Sequence, residues 1–100
     1  MAPEMVHEDE LLPLTPRCAS IIRAAERISR SNGSEFIGAE HLFIAILKDE
    51  YSIPSQVSRR ENGEGGTERL IAALLEFIGT DEYRGIVDES LLRGLENDSE

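Results

Sequence analysis

The feature that most constrains this chain is a stripe of apolar side chains punctuated at both ends. Thr15-Pro16 opens it, Cys18, Ile21, Ile22, Ala25 and Ile28 carry it, and Asn32-Gly33 closes it. Three- and four-residue spacing puts those side chains on one face of an α-helix. A Thr hydroxyl suits the N-cap, and Pro suits the first helical position, where no backbone donor is required. Gly readily takes the left-handed conformation that often ends a helix. Arg23, Arg27 and Arg30 fall on another face. A chain with one such amphipathic helix must supply other apolar faces to bury it.

The next segments supply them. Phe36 and Ile37 form a short apolar plug, and Gly38 then opens a second helix running to about Asp49. Its middle, Leu42 to Leu47, is apolar all round, as in a helix central to its domain. A buried strand is the competing reading of such a run. Ala39-Glu40 before it and Lys48-Asp49-Glu50 after it favour the helix. Ser52 to Arg60 reads as a short third helix with Ile53 and Val57 inward and Pro54 in its first turn. Residues 61–66, with Gly63, Gly65 and Gly66, read as a flexible loop. Thr67 is the expected cap of a fourth helix striped by Leu70, Ile71, Leu74, Leu75 and Ile78, with Gly79 at its end. Residues 80–87 are ambiguous between turn, helix and strand. Asp88 is expected to cap a short helix to Leu95, ahead of a polar tail. The expected fold is all-α, a small bundle of four to five helices. Residues 1–13 are a flexible acidic arm, 14–79 the bundle, and 80–100 a C-terminal extension with a short helix and an acidic tail.

Charge narrows the range of partners. The net charge is −10, with −4 over residues 1–14, +2 over 15–60 and −8 over 61–100. That sign opposes binding to nucleic acid or to an anionic membrane, because phosphate is repelled. The acidic flanks serve solubility or attract a basic partner. No apolar run approaches the roughly 18 residues of a membrane span, and the acidic N-terminus does not resemble a secretory signal. A soluble, cytoplasmic protein is expected.

Catalytic patterns are missing from the sequence. Cys18, the single cysteine, has no base at a telling spacing and reads as a small buried hydrophobe. His7, His41 and Cys18 match no zinc spacing. The stretch Gly63 to Thr67 lacks the lysine and the spacing of a phosphate loop. No enzyme activity, cofactor or metal is expected.

The segment Phe36-Ile37-Gly38-Ala39-Glu40-His41-Leu42-Phe43-Ile44-Ala45-Ile46-Leu47 resembles the N-terminal repeat of the Clp ATPases, protein unfoldases that feed proteases or act as disaggregases. That repeat reads I-G-T-E-H-L-L after an aromatic or aliphatic residue, and Ala39 replaces the usual Thr. Leu14-Thr15-Pro16-Arg17 resembles the F-T-x-R opening of the same repeat, at the proper distance upstream. The likeness covers roughly residues 14–79, with an unusually long Gly-rich insertion before the fourth helix.

The resemblance implies a four-helix unit that normally occurs twice, as a mobile domain ahead of ATPase modules, binding adaptors and substrates including degrons. In some relatives it reads phosphorylated arginine. The Glu of the motif then meets the guanidinium, and the Thr of the opening lies beside the phosphate. The matching positions are Glu40 and Thr15. Both also have a structural reading, Thr15 as a cap and Glu40 as a favourable charge at a helix N-terminus.

Two differences from the pattern shape the expectation. The hundred residues hold one repeat and no ATPase modules, so no unfolding activity is expected of them. A lone repeat exposes the face its twin would cover, and Phe36, Ile37 and Phe43 are the expected interface residues. A homodimer imitating the tandem pair is one outcome, and a fold-back of residues 80–95 over that face is the other. The expected partners are proteins or peptides, namely Clp unfoldase components, adaptors or degrons. A small acidic decoy or inhibitor of a basic partner is the alternative.

Overall fold

The computed structural model describes residues 12–88. Most of the expected acidic arm, and the expected tail and end of the last helix, lie outside the described residues. Four helices are delimited, α1 (Pro16–Ser31), α2 (Ala39–Lys48), α3 (Ile53–Asn62) and α4 (Gly66–Phe77). Residues 81–88 are helical as well. Among the described residues there is no strand, and the fold is the expected small all-α bundle.

The signals that predict α1 act as expected. Thr15 Oγ1 accepts from the Cys18 N–H at 3.0 Å, Pro16 is the first helical residue, and Gly33 takes φ +79° just past the end. α1 and α2 run antiparallel. Their far ends are tied where Arg17 donates to both carboxylate oxygens of Asp49 at 3.0 and 3.1 Å. Ile21 and Ala25 pack on Ala45 between the two helices.

α2 is the central helix, packed on α1, α3 and α4. Ile44 on its far side meets Ile78 and Tyr83, with Ile71, Leu74 and Val87 around them. Complete burial of Ile44 and Ile78 stabilises the fold by about 1.5–3 kcal/mol each. Asn32 Nδ2 donates to the Ile78 carbonyl at 2.7 Å, so the end of α1 is pinned to the end of α4.

α3 lies the other way round from its expected orientation. Ile53 is 69 % exposed and Val57 is exposed too, whereas Ser52 and Ser55 are buried. The last turn of α2 leaves carbonyls without helical partners, and they need donors once covered. Ser52 Oγ donates to Ile46 O at 3.0 Å, Ser55 Oγ to Leu47 O at 2.8 Å and Arg59 to Leu47 O at 3.2 Å. Leaving the buried Leu47 carbonyl unpaired would cost about 1–3 kcal/mol.

α4 is capped two residues earlier than expected. Gly65, at φ +76°, is its N-cap. Thr67 is fully buried instead, its hydroxyl 2.7 Å from that of Ser58 on α3. Residues 81–88 also differ from expectation. Their helix is capped by Thr80, whose Oγ1 accepts from the Tyr83 N–H at 3.2 Å, so Asp88 lies within a helix rather than capping one.

Candidate functional site

An apolar groove of about 670 Å³ runs between the start of α2, the end of α4 and residues 81–88. Phe36, Ile37, Leu74, Phe77 and Ile86 provide its apolar wall. Ile37 is 42 % exposed, and Phe77 and Ile86 are exposed as well. The α2 N-terminus and Glu40 form the polar side.

The turn into α2 is held by its own motif. His41 is fully buried and its Nδ1 accepts the Gly38 N–H at 2.8 Å, which satisfies one donor of the helix entry. The His41 ring meets Phe36 edge to face, with centroids 6.0 Å apart. Its role here is structural. Gly38 leaves room for the Glu40 side chain as it lies here. A Cβ at this position would fall 2.5 Å from Glu40 Oε2, because the Glu40 side chain folds back over the glycine. Glu40 in the first turn also meets the positive end of the helix dipole.

The Glu40 carboxylate accepts a hydrogen bond from the Tyr83 hydroxyl. Tyr83 is 5 % exposed, and its ring packs edge-on against Phe77 at 6.2 Å. Burial, then the Glu40 hydrogen bond and the Glu40 charge, push the Tyr83 phenol well above the ordinary tyrosine range. The phenol therefore remains a donor at neutral pH. Tyr83 is one of the groove residues the sequence reading missed, with Phe77, Ile86 and Val87. A signal was present, since Thr80 followed by Asp81-Glu82 is a cap with an acidic first turn, and Tyr83 and Val87 share a helical face.

The structure separates the sequence candidates. Thr15 lies at the start of α1 beside the α2 C-terminus, the end marked by the Arg17–Asp49 pair. Glu40 lies at the opposite end of α2, about 13 Å of helix rise from Asp49. One copy of the chain thus does not bring Thr15 and Glu40 together. Phe36 and Ile37 line the groove with Glu40, while Phe43, 45 % exposed, lies outside it.

Among the described residues no cluster of His, Cys, Asp and Glu is arranged to hold a metal, and no helix is long and apolar enough to cross a membrane. Neither a curated protein nor a solved structure matches the chain. Comparison with known families matches residues 2–60 to the Clp repeat (R) N-terminal domain. The matched stretch contains the Thr15 cap, the Gly38 turn and all of α2, and leaves the α4 and Tyr83 side of the groove beyond it. More than half of the sequence therefore carries the repeat's own pattern, and the chain belongs to the Clp repeat N-terminal domain family.

Proposed function

We propose that this chain is a non-catalytic binding module of cytoplasmic regulated proteolysis, which captures peptide segments of degrons, adaptors or Clp unfoldase partners in the groove beside Glu40. The observation that carries this reading is a single carboxylate set in an otherwise apolar groove. Such a site suits a peptide with one cationic side chain among apolar ones. A guanidinium is the best match, because its planar fork pairs with a carboxylate through two parallel hydrogen bonds. The long reach between Thr15 and Glu40 argues against both residues serving one phosphorylated arginine within a single copy.

The test is a titration with free phosphoarginine and with arginine-containing degron peptides, run on the native chain and on Glu40→Gln. Saturable binding that Glu40→Gln abolishes is expected. Equal affinity for both proteins removes Glu40 from the function.

The exposure of Ile37 and Phe43 favours a second use of the surface, contact with another copy of the chain. Sedimentation of the native chain and of Phe43→Glu over a wide concentration range separates the two. A native monomer at every concentration excludes the dimer.

A further inference from the structure

Glu40 is not free to meet a ligand in the closed structure, since its carboxylate already accepts from Tyr83. Both residues line the groove, so the phenol stands on the side from which a ligand reaches the carboxylate. The segment bearing Tyr83 is joined to α4 through Gly79 and Thr80, and Thr80 Oγ1 donates back to Phe77 O at 2.6 Å. One face of that segment is anchored through Tyr83 and Val87 on the Ile44 and Ile78 cluster. Arg84, Gly85 and Ile86 are exposed.

We propose that residues 81–88 are an internal latch on the Glu40 site, with the Tyr83 hydroxyl holding the carboxylate until an arginine flanked by apolar residues replaces it. This inference rests on the peptide-binding reading above and adds its regulation. A guanidinium fork closing on both carboxylate oxygens makes two charge-assisted hydrogen bonds where the phenol makes one. Release of Tyr83 uncovers Ile44 and Ile78, and the apolar residues beside the arginine cover them again. The closed latch lowers apparent affinity by the fraction of molecules that are open. Part of the groove is thereby an autoinhibitory contact, formed by chain beyond the family's matched stretch.

The experiment follows a fluorescein-labelled Leu-Leu-Arg-Leu-Leu peptide by anisotropy on the native chain, Tyr83→Phe and Glu40→Gln. Deuterium exchange of residues 81–88 in the native chain is measured with and without the peptide. Tyr83→Phe keeps the ring and removes the hydroxyl, so it is expected to bind about tenfold tighter, the worth of one hydrogen bond to a charged group. Glu40→Gln is expected to lose binding, and the amides of 81–88 to exchange faster when the peptide is bound. Equal or weaker binding by Tyr83→Phe, with Glu40→Gln still inactive, overturns the latch and leaves the Glu40 site standing. Exchange in 81–88 that stays the same or slows on peptide addition overturns it without recourse to a variant. Equal binding by all three proteins removes the Glu40 site and the latch with it.

Discussion

The Tyr83 hydroxyl donates to the Glu40 carboxylate across 43 residues of sequence, joining the last described helical segment to the first turn of the central helix. Because burial and Glu40 raise the Tyr83 phenol above its ordinary range, the folded chain holds that proton more tightly than the unfolded chain does. The stabilisation is complete below the unfolded value of about 10 and is lost as pH rises toward the higher folded value. Tyr51→Phe leaves Tyr83 as the single tyrosine. In that variant tyrosinate absorbance is expected to appear only above about pH 11, while the urea midpoint begins to fall from about pH 10 upward. Absorbance rising around pH 10 in the folded protein contradicts the assignment.

Gly38→Ala is expected to displace the Glu40 side chain, because the added methyl occupies the place of Oε2. Loss of the Tyr83 bond should cost about 1–3 kcal/mol, read as a lower urea midpoint at unchanged m. Combining Gly38→Ala with Tyr83→Phe should cost clearly less than the sum of the two, since both remove one contact. Strict additivity would show that the glycine acts elsewhere.

Thr15→Ala removes the α1 cap and is expected to destabilise the chain by about 1 kcal/mol in thermal melting. Because Thr15 lies at the far end of the α1–α2 pair, arginine-peptide affinity should not change in the remaining folded protein. A parallel loss of affinity would place Thr15 in the site.

Ser55→Ala and Arg59→Met each take one donor from the Leu47 carbonyl. Either change alone should cost about 1 kcal/mol, and the pair more than the sum, because the second leaves a buried acceptor without a partner. A double-mutant cycle in urea measures the excess. Zero coupling would mean that the α2 end is satisfied by other groups.

Much of the fold is legible in local chemistry. α1 can be read from its Thr-Pro opening, its stripe and its Asn-Gly close, and all three hold in the structure. α2 can be read from its apolar run and the G-x-E-H-L turn, and the family follows from the same residues. Each of those signals acts within about one turn of helix, where caps, dipoles and periodicity operate. Glu40 was a candidate through the resemblance to the Clp repeat, and Phe36 and Ile37 as the face a second repeat would cover, rather than through these local signals.

The remaining features depend on groups that meet only after the helices pack. Ile53 and Val57 form a good stripe for burial, yet α3 turns its serines inward, where Ser55 and Arg59 supply the donors for the Leu47 carbonyl. Thr67 has the chemistry of a cap, but Gly65 reaches the left-handed turn at lower cost and frees Thr67 to meet Ser58. Glu40 and Tyr83 look unrelated in one dimension and share a hydrogen bond in three. Periodicity records which side chains are apolar. It does not record which buried donor or acceptor will lack a partner, and that accounting closes only in the packed molecule.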